Sequence, residues 1–274
     1  MVAVPIGNLR DITYRAVDVL RGVDVIAAED TRDFRELQRE HGISTRVVSY
    51  HDYNEQTRAR QLIERLRAGE SVALVSDAGT PLVNDPGFRI VGAAIEAGVP
   101  VTSVPGASAV LTALTGSGLP LSQFVFLGFP PRGSGKRRAF FAGRAREQAT
   151  LVFFEAPHRL AASLEDLREA LGDRHICLAR NLTKPHERYQ RGTVSDILQQ
   201  LAAEGEARGE ATVVVAGCAA GVPEEVSASV TDEIDDLVRQ GLETRAILER
   251  VTREHGLKRR EAYELVLKAK DRNA

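Results

Sequence analysis

A few short segments hold most of the residues that could do chemistry. In Val75-Ser-Asp-Ala-Gly-Thr-Pro81 an apolar, β-branched run stops at Asp77, and Asp85-Pro-Gly87 then launches a helical pattern. A strand that ends in a small-residue loop and re-enters a helix is how an α/β protein builds a ligand site, because ligands sit outside the carboxyl ends of the strands. Ala78 and Gly79 let main-chain amides come close, while Pro81 and Pro86 stiffen the loop. Val104-Pro-Gly-Ala-Ser108 repeats the pattern, with Ser108 either offering a hydroxyl or capping the next helix. Either loop alone is equally a tight turn; two on one sheet edge make a pocket wall.

Three further segments carry charge. Ala28-Glu-Asp-Thr-Arg32 closes an earlier strand, where Asp30 or Thr31 suits a helix N-cap but Glu29 and Arg32 have no such structural purpose. Phe154-Glu-Ala-Pro-His-Arg159 ends a later strand. There Pro157 fits a first helical turn, and Glu155 and His158 either face a cleft or hold the turn together. In Asn181-Leu-Thr-Lys-Pro-His-Glu187, Lys184 is a phosphate contact or a solvated lysine.

What is missing narrows the chemistry. The loop Val4-Pro-Ile-Gly-Asn8 lacks the G-x-G-x-x-G spacing, no G-x-x-x-x-G-K-[ST] loop occurs, and Pro5 removes an amide where a phosphate would need one. The expected ligand therefore has no phosphates. There is no G-x-S-x-G elbow and no H-E-x-x-H, and the 6 histidines are scattered, so no metal is expected.

Residues 2–4, 23–28, 46–49, 72–75 and 99–104 form strand patterns, separated by helical patterns at 12–20, 31–40, 55–67 and 87–97. Short apolar strands alternating with helices imply a parallel sheet. A Gly/Pro cluster at 116–120 marks a change of rhythm. Beyond it lie strand patterns near 124–127, 151–154, 176–179, 187–191 and 211–217, with helices near 137–146, 160–170 and 194–203. The close spacing of 187–191 and 194 suggests antiparallel pairing and a mixed sheet. Three amphipathic helices follow, at 231–240, 244–254 and 258–270. The expected division is an α/β domain over 1–116, a second over 117–222 and a helical extension over 227–274.

The chain has 274 residues and a net charge of −2, which excludes a wholly basic nucleic-acid packager. The charge is uneven, however. Residues 130–146 carry Arg132, Lys136, Arg137, Arg138, Arg144 and Arg146 with no acid, and the tail carries Arg245, Lys258, Arg259 and Arg260 among others. Both are candidate anion-facing surfaces or solvated helix faces. Cys177 and Cys218 lie far apart and fit buried thiols of a reducing cytoplasm. No apolar run reaches membrane-spanning length, and the first residues already look like a strand, so neither a membrane partner nor a leader is expected.

Taken in order, the segments 4–15, 28–32, 75–81, 104–108 and 154–159 resemble the ribosomal RNA small subunit methyltransferase I family. These are S-adenosylmethionine (SAM) transferases of the tetrapyrrole-methylase superfamily. The resemblance covers essentially the whole chain. It implies two α/β domains with SAM in the cleft between them, a homodimer, and methylation of the ribose 2′-oxygen of a cytidine in the decoding centre of 16S rRNA. It places Pro5, Asp77, Ala78, Gly79, Thr80, Pro81, Val83, Ser108, Ala109, Phe154, Leu182, Ala211 and Thr212 at the cofactor. A sugar hydroxyl is a weak acid, and Glu29, Asp30, Glu155 and His158 are candidate bases. Arg32, Arg132, Lys136, Arg137, Arg138, Lys184, Arg245, Lys258, Arg259 and Arg260 are candidate contacts to 16S rRNA or the small ribosomal subunit. Two other readings share parts of this pattern: a tetrapyrrole C-methyltransferase, and a non-catalytic RNA-binding ribosome assembly factor.

Overall fold

The computed structural model describes residues 1–204, 209–218, 228–255 and 259–273. Residues Met1–Gly217 form one compact unit and Cys218–Ala274 a second.

In chain order the first unit contains α1 (Tyr14–Gly22), β1 (Val25–Ala28), α2 (Phe34–Glu40), β2 (Val47–Ser49), α3 (Glu55–Arg67), β3 (Val72–Val75), α4 (Phe88–Glu96) and α5 (Ala109–Ser117). Then come β4 (Phe124–Phe126), α6 (Ser134–Ala142), β5 (Thr150–Glu155), α7 (Leu160–Leu171), β6 (His175–Arg180), β7 (Arg188–Thr193), α8 (Val194–Glu204) and β8 (Ala211–Val215). The second unit is a bundle of α9 (Ala228–Arg239), α10 (Thr244–His255) and α11 (Arg259–Asn273), closed around Ile234, Ile247, Val251 and Val266.

The first sheet is parallel, in the order β2-β1-β3. Strand residues alternate between faces. Ile26 and Ala28 therefore meet α1 and α2, whereas Val25 and Ala27 meet α3 and α4. Residues 2–4 and 99–104, expected as strands, are corrected to a looser arrangement. Val2 bridges Val104 in parallel and Val4 bridges Gly79. These segments still complete the sheet edge beyond β3, through Val2 N–H donating to Leu74 O at 2.9 Å. The winding reverses there, since residues 2–4 lead through α1 to β1 while β3 leads through α4 to Val104. Such a reversal opens a crevice at the carboxyl ends of the strands.

The second sheet is mixed, in the order β4-β5-β8-β6-β7, with β4 and β5 parallel and every other pairing antiparallel. One face packs on α6, α7 and α8 through Phe141, Leu164 and Ile197. The other face receives α5 from the first half, where Val110, Ala113 and Leu114 meet Val152, Cys177 and Val214. Helix α5 thus belongs to the cores of both halves. Two side chains of β7 hold it as well: Tyr189 Oη donates to Thr112 O at 3.2 Å, and Arg191 Nε donates to Ser117 O at the helix's C-terminal end at 3.1 Å. Among the described residues no helix is long and apolar enough to cross a membrane.

Candidate active site

The two crossover loops and the end of β5 enclose a cavity of about 300 Å³. Its walls include Ile6, Ala78, Gly79, Thr80, Val83, Ser108, Ala109, Phe154, Ala211 and Thr212. Gly79 has φ +74°, and a Cβ there would stand 3.2 Å from Ile6 Cγ2, so only glycine brings the main chain this close. Thr80 Oγ1 donates to Ala107 O at 3.3 Å and so ties one crossover loop to the other. Ser108 lines the cavity and also accepts from Leu111 N–H at 3.4 Å, so capping and lining coexist.

The remaining residues assigned to the cofactor lie just outside these walls. Pro5 and Asp77 line a second, polar cavity of about 330 Å³ with Asp30, Asp33, Lys184 and Glu210. Pro81 is buried in its loop and Leu182 in the core behind α5. The cavity is also lined by residues not assigned to the cofactor from the sequence: Asn84, Phe129, Ala156 and Glu210, together with Asp85 and Pro157, expected only as turn and helix-start residues. The Asn84-Asp85-Pro-Gly87 turn was a visible signal for Asn84 and Asp85, and Gly128-Phe-Pro-Pro131 for Phe129. Glu210 stands alone with no local motif.

The acids divide by environment. Burial, then the charges of Asp77 and Asp85, push the Glu29 carboxyl up to about 7. Burial also raises Asp77 and Asp85. Asp30 goes the other way: hydrogen bonds from the Arg32 guanidinium hold its carboxyl well below the usual range. Asp30 Oδ1 also accepts from Arg32 N–H at 2.7 Å. Helix α2 starts at Phe34, and its N-cap, Asp33, makes no side-chain cap bond. The expected capping by Asp30 or Thr31 is therefore replaced by a turn over residues 30–32.

Glu155 is enclosed by its own neighbours. Its carboxylate accepts from Ser163 Oγ, from Ala156 N–H at 2.8 Å and from Arg159 Nη2 at 3.2 Å. These bonds hold the turn after β5, whereas His158 points outward, exposed, from that turn.

The basic residues separate likewise. Arg132 and Lys136 are exposed, and among the described residues neither has an ion-pair partner. Arg138 is exposed but meets Glu169 at 2.8 Å. Arg137 departs from the expected basic surface: it is buried, bonding Asp166 at 2.6 Å and donating to Arg132 O at 3.1 Å. Its register on α6 turns it inward, against α7. Lys184 pairs with Glu210 at 2.6 Å and lies across Gly7 so closely that a Cβ there would overlap its methylenes. Arg32 is exposed beside Asp30, and Arg245 pairs with Glu249 at 3.2 Å. Lys258 and the side chains of Arg259 and Arg260 lie outside the described residues.

The comparisons with known proteins agree with this architecture. The family model of Tetrapyrrole (Corrin/Porphyrin) Methylases matches residues 1–198. A ribosomal RNA small subunit methyltransferase I from Micromonospora olivasterospora is 51% identical, over 100% of this chain and 87% of that protein. Its counterpart from Halalkalibacterium halodurans is 40% identical, over 97% of this chain and 93% of that protein. Among solved structures, cobalt precorrin-4 methyltransferase superposes with TM-score 0.59 at 17% identity, covering 78% of this chain and 93% of that one, a likeness of fold alone. On the family model and these near-full-length relatives, the chain belongs to the tetrapyrrole methylase family and, within it, to the ribosomal RNA small subunit methyltransferase I family.

Proposed function

We propose that this chain transfers a methyl group from SAM to the ribose 2′-oxygen of a cytidine in the decoding centre of 16S rRNA, in the cytoplasm. The observation that carries the reading is the cavity at the sheet reversal, walled by Ala78–Thr80, Ser108–Ala109 and Phe154. Its volume lies within the range of small-molecule sites, and its apolar walls with few polar groups suit a nucleoside and an aliphatic chain. The proline at position 5 and the absence of a glycine-rich amide cradle suit a donor without phosphates. SAM supplies a sulfonium-bound methyl carbon that is open to in-line attack.

The chain's own residues do the rest. The loops after β3 and Val104 hold the donor, and positioning the nucleophile near 3 Å from the methyl carbon contributes as much as about 7–11 kcal/mol. The proton of the attacking hydroxyl must be taken up by a residue of the chain. Glu29 is assigned as the base because it directly follows β1 and hydrogen-bonds the Asp77 main chain next to the cavity-lining Ala78, although it is not itself a lining residue. A carboxyl near 7 is substantially ionised at neutral pH yet basic enough to take a proton, whereas Asp30 is held ionised by Arg32. Arg132 and Lys136 supply exposed positive charge for RNA phosphates. Small subunits from cells lacking the modification, incubated with the protein and methyl-labelled SAM, should gain one methyl group. Mass mapping should place it on a ribose of a decoding-centre cytidine. Label on a base, or none in the presence of bound SAM, would end the proposal.

A further inference from the structure

Phe129 is a large aromatic side chain left 57% exposed at the wall of the donor cavity. Its inner edge rests on Phe154, ring centroids 5.5 Å apart, and Phe154 is backed in turn by Phe126 at 5.1 Å. The backbone around it is unusually constrained. Gly128 has φ +65°, in the region that favours glycine, and its carbonyl accepts from Phe154 N–H at 2.9 Å. Pro130 and Pro131 follow, and Arg159 Nη2 donates to Pro130 O at 2.8 Å. Arg137 Nη1 then holds Arg132 O at 3.1 Å. These bonds fix the main chain on both sides of Phe129, and the ring, resting on Phe154, keeps an exposed part at the cavity wall. The exposed cations Arg132 and Lys136 follow it three and seven residues on in the chain.

An exposed aromatic face beside positive charge is the combination that binds single-stranded nucleic acid, with bases stacked on the ring and phosphates met by cations. A nucleotide whose base is held on such a face is also fixed at its sugar, the group the proposed reaction modifies. We propose that Phe129 is the platform on which the target nucleobase stacks, presenting the attached ribose to the donor cavity. This rests on the reading of that cavity as a methyl-donor site for RNA. It gives one residue of the cavity wall a second role, orienting the substrate.

The test uses the full chain and three variants, Phe129→Ala, Phe129→Leu and Phe129→Trp. With small subunits lacking the modification, Phe129→Ala and Phe129→Leu should lower kcat/KM by about 5- to 100-fold, as expected for a lost stacking contact. Phe129→Trp should retain most of the activity. Thermal melting should stay close to wild type in all three, and because Phe129 lines the cavity, SAM affinity by calorimetry should fall in Phe129→Ala and Phe129→Leu, but by much less than kcat/KM. The chain contains no tryptophan, so the indole in Phe129→Trp is the sole tryptophan and can be excited selectively, at wavelengths where tyrosine does not absorb. A single-stranded oligoribonucleotide spanning the target cytidine should quench it, and the same strand abasic at that position should not. Unchanged kcat/KM in Phe129→Ala, or equal quenching by both strands, would overturn the platform while leaving the methyltransferase reading intact. A kcat/KM loss matched by an equal loss of SAM affinity would reassign Phe129 to the donor. A wild-type chain that binds SAM but methylates no ribosomal RNA would remove both readings.

Discussion

The main-chain N–H of Asp30 donates to Asp77 Oδ1 at 2.8 Å, joining the end of β1 to the loop that follows β3. Two turns far apart in sequence are thereby tied together, which ties the loop after β3 to the end of β1. Asp77→Ala removes the acceptor and leaves the Asp30 amide without its partner. A hydrogen bond to a charged group is worth about 1.5–3 kcal/mol, so SAM affinity measured by calorimetry should fall about tenfold. Asp77→Asn keeps a side-chain carbonyl to accept the bond, and its affinity should stay within about threefold of wild type.

The same carboxylate sets the pH response. Burial and the charges of Asp77 and Asp85 carry Glu29 from its ordinary 4.5 to about 7, so single-turnover methylation should rise between about pH 6 and 8 as Glu29 loses its proton. Glu29→Gln should lower the rate by about 10²–10⁴-fold and abolish that limb. Asp77→Asn should move the limb to lower pH by removing a neighbouring negative charge. The folded state also binds the Glu29 proton more tightly than the unfolded chain does. That contribution to stability is complete below about 4.5 and is lost as pH rises through about 7. Relative to wild type, Glu29→Gln should therefore melt higher at pH 8 than it does at pH 4. A limb that survives in Glu29→Gln would remove this residue from the proton's path.

One basic segment should yield two opposite phenotypes. Arg137 is buried against Asp166, so Arg137→Ala leaves that buried carboxylate with only Ser134 Oγ at 2.8 Å and the half-exposed Arg138 at 3.9 Å, and should cost about 2–4 kcal/mol in denaturant unfolding. Arg132→Ala and Lys136→Ala should leave stability within about 0.5 kcal/mol. Each should weaken RNA binding and lower the slope of log affinity against log salt by about one unit. Loss of RNA binding by Arg137→Ala under conditions where it is fully folded would contradict this division.

The strand–loop–helix units were legible because their signals are local. An apolar run, a small-residue stop and a turn residue such as Gly79 or Pro86 lie within a few positions, and the cavity walls at Ala78–Thr80 and Ser108–Ala109 follow from them. Arg137 was not legible, because a run of cations looks the same whether a given member faces water or a buried partner 29 residues away. Glu155 was ambiguous for the same reason, its enclosure depending on Ser163 from the next helix. Residues 99–104 look like a strand from composition, but their pairing depends on residues 2–4, and only Val104 forms a bridge. The pKa divergence of Glu29 and Asp30, adjacent in sequence, depends on Arg32 on one side and Asp77 and Asp85 on the other.

Gly79 offers the most direct test of the cavity as a preformed cradle. Its φ of +74° costs a residue with a side chain about 1–2 kcal/mol, and a Cβ would meet Ile6 Cγ2 at 3.2 Å and Ala107 O at 3.7 Å. Gly79 N–H also donates to Val4 O at 3.1 Å while its carbonyl accepts from Val4 N–H at 2.9 Å, so the strain cannot relax without breaking this bridge. Gly79→Ala should therefore unfold about 1–2 kcal/mol more easily and bind SAM more weakly, by about tenfold if the loop shifts to relieve the contact. Gly98→Ala, also at positive φ but with open space around it, should show the stability loss alone. Equal SAM affinities in the two variants would mean that the donor does not lie against Gly79.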